Sequence, residues 1–212
     1  MKKAICAAAL AAVLIFAAMI HGAAADKKGV RICFIVDAGS IVGCADGTSP
    51  FDKVLGAVIA SGEKTAFFFD DENMNYDADY ATAMMKVFAS GMPIGIFDML
   101  RSDDGNKLDV AMINQKYITR TVSRMVLTDR ITSRAFSKGY SVYTTEVIVS
   151  SPELITEESF VYLEETFIAV KAVRISESVA DAVAELFGKI KQSGIYIITP
   201  TETGFYPLGM EE

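Results

Sequence analysis

The feature that most constrains this fold is an apolar run, VRICFIV at 30–36, which ends at the carboxylate of Asp37 and is followed by turn residues. Most of its side chains are β-branched, and such a run predicts a strand buried on both faces. Two similar runs follow at 64–69 and 94–100, each preceded by a helix-like segment. Strands alternating with helices over short connections indicate a parallel sheet.

We therefore predict an α/β fold with a mostly parallel sheet flanked by helices, doubly wound and Rossmann-like, in three layers. The sequence DDGN at 103–106 is either a turn or an antiparallel hairpin. Residues 115–138 fit either a helix or a strand, and the tail at 200–212 either straps over the sheet or hangs loose.

The first 25 residues have the pattern of an export signal. Two lysines precede an apolar stretch at 4–20, and the small residues at 23–25 favour cleavage before Asp26. The alternative is an uncleaved membrane anchor. The expected organisation is a signal peptide at 1–25, a single α/β domain at 26–199 and a tail at 200–212, in a protein located in the periplasm or outside the cell.

Composition after that cleavage excludes several kinds of chemistry. The only histidine, His21, lies in the signal, so the mature chain would have no His-dependent nucleophile, zinc site or general base. Removal of Lys2 and Lys3 takes the net charge from −7 to −9. An acidic chain of this kind argues against nucleic acid as a partner, because phosphate binding needs clustered cations.

Cys33 and Cys44 would be the two cysteines of the mature chain. An even number in an exported protein permits a disulfide across this short loop. The alternative is a buried thiol at Cys33, which lies in the middle of the first predicted strand.

Acidic side chains follow each of the first three predicted strands. Because the carboxyl ends of parallel strands meet at one edge, these acids and the turn after the first strand are expected to bind a ligand there. The candidate residues are Asp37, Gly39, Ser40, Asp70, Asp71 and Asp98. Carboxylates that converge in this way bind Mg²⁺ or Ca²⁺. The alternative is that the acids cap helices and form turns.

A group of basic residues is unusual in so acidic a chain. If 115–138 were one helix, six cations would share one side of it and could bind an anionic ligand, an acidic partner or lipid headgroups. These residues are Lys116, Arg120, Arg124, Arg130, Arg134 and Lys138. The alternative is a solvated helix face.

The absence of a complete catalytic motif favours an exported binding module that holds a small ligand or a partner protein at the strand-end edge. The first alternative is a metal-dependent hydrolase of the phosphoesterase kind, using clustered Asp carboxylates. The second is an envelope structural protein that docks on another envelope protein through the basic helix face.

Overall fold

The computed structural model describes residues 29–44, 47–70, 77–98, 105–128, 139–145, 147–160, 170–193, 195–201 and 204–207. Its strands are β1 (Gly29–Val36), β2 (Ala66–Asp70), β3 (Ile94–Asp98), β4 (Met125–Thr128), β5 (Ser141–Thr144), β6 (Ile148–Val149), β7 (Lys171–Arg174), β8 (Tyr196–Thr201) and β9 (Gly204–Pro207). Its helices are α1 (Ala38–Ile41), α2 (Pro50–Ser61), α3 (Ala78–Ala89), α4 (Gly105–Thr119), α5 (Glu157–Phe160) and α6 (Glu177–Ser193), with a 3₁₀ turn at Pro152–Leu154.

The first strand, β1, is the centre of the sheet. It pairs in parallel with β2, where Cys33 lies opposite Ala66, and with β7, where Cys33 lies opposite Ala172. Its first residues also pair in parallel with β8. The side chains from Val30 to Val36 are buried, as the apolar run predicts.

The sheet is curled into a half-barrel. Strands β1 to β5 lie side by side in chain order, β7 returns to the free edge of β1, and β6 lies beside β7. Across the opening between β5 and β6, the amide of Val170 donates to the carbonyl of Thr144 over 2.9 Å. The sheet therefore bends back toward itself, and helices flank it.

The two faces of the sheet have different partners. On the convex face, alternate strand residues pack against α2, α3, α4 and α6 in one large core. On the concave face, the buried cluster comes from strands and from Val170 just before β7, with Tyr143, Phe68 and Phe97 as its largest members. Alternation of side chains along each strand assigns every residue to one of these faces.

Local signals explain where the helices begin and end. The Ser49 side chain accepts a hydrogen bond from the Asp52 amide, Pro50 occupies the first turn of α2, and Gly62 closes the helix with φ of 82°. At α3 the Asp77 side chain caps the helix by accepting from the Asp79 amide over 2.8 Å. These caps fix where the helices between successive strands begin and end.

The predicted α/β fold with a mostly parallel sheet is confirmed. The antiparallel pair is β8–β9, in which residues 204–207 of the tail form a strand beside β8, and 208–212 lie outside the described residues. Residues 103–104 lie outside the described part of the chain, and 105–106 begin α4. The sheet is more curved than an open doubly wound sheet, because its concave face packs on itself.

The segment 115–138 is not one helix. The helix α4 ends at Thr119, Arg120 has φ of 61°, and β4 begins at Met125. The Thr119 hydroxyl bonds to the Gln115 carbonyl and to Thr121, and such local side-chain bonds compete with helical ones. The rest of the predicted helix, 129–138, lies outside the described residues.

Among the helices that the structure describes, none combines the length and the hydrophobicity needed to cross a bilayer.

Candidate functional site

The candidate site is built around Asp37, the first residue after β1. Its side chain accepts a hydrogen bond from the Ser40 amide over 3.0 Å, and the Ser40 hydroxyl accepts from the Asp37 amide over 2.9 Å. This reciprocal cap fixes the backbone at the point where the strand turns into α1. Asp37 therefore has a defined position at the edge where the parallel strands end.

Arg174, the last residue of β7, forms an ion pair with Asp37. Its Nη1 donates to Asp37 Oδ2 over 2.8 Å, and the side chains of Arg174 and Asp37 are 28% and 20% exposed. The guanidinium also lies over the Phe97 ring, 5.7 Å from its centroid. The two charges are partly desolvated and held from several directions, yet solvent still reaches them.

The concave face of the barrel carries Asp37, Asp70 and Arg174. Each lies two residues beyond a member of the concave cluster, namely Ile35, Phe68 and Ala172. Asp37 keeps an extended backbone, so the alternation of the strand continues through it. The structure thus brings two of the predicted acids to one face and adds a cation.

Asp98 belongs to the other face. It directly follows Phe97, whose ring is in the concave cluster, so its side chain leaves the strand toward the helices. The predicted convergence of Asp37, Asp70 and Asp98 therefore does not occur as one group. Asp71 lies outside the described residues.

Tyr80 of α3 ties the ends of β1 and β2 together. Its buried hydroxyl lies 2.8 Å from the Val36 carbonyl and 3.0 Å from the Asp70 carbonyl and donates to both. The ring packs edge-on against Phe69 with centroids 5.4 Å apart. This contact holds the backbone beside Asp37 and Asp70 in register, and the sequence pattern predicted no such role.

The described residues do not fit a divalent metal site. They contain no group of three or more His, Cys, Asp or Glu side chains placed to hold one ion. One of the two acids on the concave face, Asp37, already bonds to Arg174. The described residues therefore provide no ligand set for Mg²⁺ or Ca²⁺.

The other residues singled out in and around the first strand are Gly39, Ser40 and the two cysteines. Gly39 lies exposed within α1, and Ser40 is fully buried by its cap. Cys33 and Cys44 are not joined by a disulfide, so the alternative, a buried thiol at Cys33, is the one that the structure shows. Cys33 points into the concave cluster, whereas Cys44 lies in the loop before α2, and burial raises the pKa of the Cys33 thiol.

The basic residues are distributed over several elements. Lys116 is on α4, Arg120 follows it, and Arg124 precedes β4. Arg130, Arg134 and Lys138 lie outside the described residues. The single cationic helix side therefore does not exist, and only the first three cations have a described position.

Comparison with known proteins identifies the fold. No protein-family model matches the sequence, and no curated protein sequence matches significantly. Among solved structures, the chain is similar to the peptidoglycan deacetylase PdaC from Bacillus subtilis, at 16% identity over 82% of this chain and 88% of that one, with a TM-score of 0.57. The chain is also similar to a family 4 carbohydrate esterase from Bacillus anthracis, at 16% identity over 82% of this chain and 80% of that one, with a TM-score of 0.51. A CE4 family pseudoenzyme from Bacillus anthracis is similar at 11% identity over 82% of this chain and 64% of that one, with a TM-score of 0.60.

These similarities correct the predicted function. Identities this low show a shared fold, and the solved structures that the chain resembles include deacetylases, a carbohydrate esterase and a CE4 family pseudoenzyme. The prediction of a simple binding module is therefore wrong, and the predicted alternative, a hydrolase, is the better supported of the two.

Proposed function

We propose that this protein is an exported hydrolase that removes acyl groups from a carbohydrate polymer of the cell envelope. Two kinds of observation support it. The solved structures with this fold include enzymes described as peptidoglycan deacetylases and as a carbohydrate esterase. The export signal expected at 1–25 would deliver the chain to the compartment that contains such polymers.

The observation that carries the proposal is the ion pair of Asp37 and Arg174 at the strand-end edge. A carboxylate has about four acceptor positions, so Asp37 can accept a proton from water besides its bonds to Ser40 and Arg174. Because solvent reaches both side chains, a polymer lying along this edge would contact them. Asp37 is the side chain assigned as general base.

The reaction is hydrolysis of an acyl amide or ester. The water oxygen bonds to the acyl carbon while Asp37 takes its proton, and the bond from that carbon to the sugar nitrogen or oxygen then breaks. The proton passes to the departing amine or alcohol, and the acyl group leaves as the acid. Arg174 orients Asp37 and places positive charge near the acyl carbonyl oxygen, on which negative charge develops as water adds to the carbon.

The test is release of acetate from purified peptidoglycan by the mature chain, 26–212, which contains every described residue. A general base contributes about 10²–10⁴ to a rate, so Asp37→Asn should lower acetate release by at least about a hundredfold. The replacement keeps the cap on α1, because Asn also accepts from backbone amides at this position.

Glu185→Gln is the matched control. It breaks an exposed ion pair with Lys189 on α6, and acetate release should stay at the wild-type level. Equal release by wild type and Asp37→Asn would refute the assignment of the base. No release by the wild type, assayed with EDTA and again with added Mg²⁺ or Ca²⁺, would refute the hydrolase itself.

A further inference from the structure

The helix α4 has apolar side chains on two opposite sides. Its inner side packs into the convex core through Leu108, Ala111 and Met112. Its outer side carries Val110, Ile113 and Tyr117, which are 47%, 64% and 74% exposed. Their spacing of three and four residues aligns them in one stripe. Polar residues separate this stripe from the packed side, so α4 has a second apolar side that no other described element covers.

We call the surface formed by Val110, Ile113 and Tyr117 the α4 face. Phe88 of α3 and Val122 after α4 are also exposed, but they border a separate cavity beside Gln115, which is buried on the inner side of α4.

Cations accompany the α4 face. Lys116, Arg120 and Arg124 are exposed, and the Arg120 guanidinium lies over the Tyr117 ring, 5.3 Å from its centroid. Arg120 also has φ of 61°, a conformation in which glycine is favoured and an arginine is strained. A strained arginine therefore places a positive charge at the edge of the apolar stripe.

We propose that the α4 face docks on the surface of a lipid bilayer that contains anionic headgroups. Apolar side chains would enter the interface while the cations contact the headgroups, as in amphipathic helices that lie in the membrane plane. The chain as a whole is acidic, so its acidic surfaces would be repelled while the α4 face, with its cations, would be drawn toward the lipid.

A second copy of this chain is the less favoured occupant. A symmetric dimer through the same face would bring each set of cations near its own copy, and like charges oppose such an interface. The membrane supplies the opposite charge instead. Charge complementarity thus selects the lipid surface.

The test is co-sedimentation of the mature chain, 26–212, with vesicles. The apolar stretch at 4–20 is left out because it would bind lipid by itself. The wild type should sediment with vesicles of phosphatidylcholine and phosphatidylglycerol, and hardly with phosphatidylcholine alone. Raising the salt from about 0.05 M to about 0.5 M should weaken binding, because the headgroup attraction is screened.

Two substitutions separate docking from folding. Ile113→Asp should weaken binding more than about tenfold, whereas Ile59→Asp, at a similarly exposed position on α2, should leave it unchanged. Arg120→Gly should weaken binding about fivefold without lowering the melting temperature, because glycine suits the positive φ. Arg120→Lys keeps the charge and should bind like the wild type.

Equal binding by the wild type, Ile113→Asp and Arg120→Gly would overturn the proposal. Binding that is the same with and without phosphatidylglycerol would do so as well. A wild-type dimer in sedimentation velocity that Ile113→Asp dissociates would show that a second copy covers the α4 face, and it would also overturn docking on lipid.

Discussion

The ion pair at the strand-end edge can be measured by a double-mutant cycle. Asp37→Asn removes the negative charge but keeps a side chain that caps α1. Arg174→Met removes the positive charge but keeps most of the apolar stem. Four proteins, the wild type, both single variants and the double variant, then give the coupling free energy between the two charges.

The expected coupling follows from burial. Exposed ion pairs contribute about 0–1 kcal/mol, whereas breaking a buried pair costs about 3–5 kcal/mol. With side chains 20% and 28% exposed and a bond of 2.8 Å, this pair lies between these limits, and we expect a coupling of about 1–3 kcal/mol. The contact of Arg174 with Phe97 is lost in both backgrounds, so it cancels.

Urea unfolding of the four proteins, followed by circular dichroism, supplies the free energies of unfolding. The exposed pair of Glu185 and Lys189 serves as the comparison and should couple far more weakly. A coupling for Asp37 and Arg174 within about 0.5 kcal/mol of zero would refute the reasoning, because the charges would then act independently despite their geometry.

Two further predictions concern the concave face. A Cβ at Gly95 would lie 2.5 Å from Phe68 Cδ1 and 3.0 Å from a backbone carbonyl, so Gly95→Ala should destabilise by about 1–3 kcal/mol and lower the melting temperature by about 2–12 °C. Gly56→Ala, in open space on α2, should instead stabilise by about 0.5–1 kcal/mol, and a similar melting temperature for both variants would contradict the crowding at Gly95. Burial raises the pKa of the Cys33 thiol, so above about pH 8.5 the unfolded chain releases this proton while the folded chain retains it. The free energy of unfolding should then fall by up to about 1.4 kcal/mol per pH unit in urea titrations under reducing conditions, and an unchanged slope in Cys33→Ala would contradict the assignment.

The sequence was sufficient to locate the strands whose residues are all buried. The apolar run at 30–36 and the carboxylate after it are sufficient to place Asp37 at the end of a buried strand. Curvature is different, because strands in an open sheet and in a half-barrel are both buried on two faces. Only the identity of the covering residues distinguishes them, and that depends on contacts across the chain.

Arg174 was missed for a related reason. It ends a short strand 137 residues after Asp37, and the pairing of β7 with β1 brings them together. The same rule that selected acids at strand ends, applied to cations, would have found it. Asp98 was grouped with Asp37 because an uninterrupted buried run such as IGIFD hides which face each residue takes.

The central strand, β1, is paired with three other strands. It lies between β2 and β7 and also pairs with β8, so its backbone amides should be among the slowest to exchange with solvent. Asp37 directly follows this strand, so we expect loss of the site on heating to coincide with global unfolding.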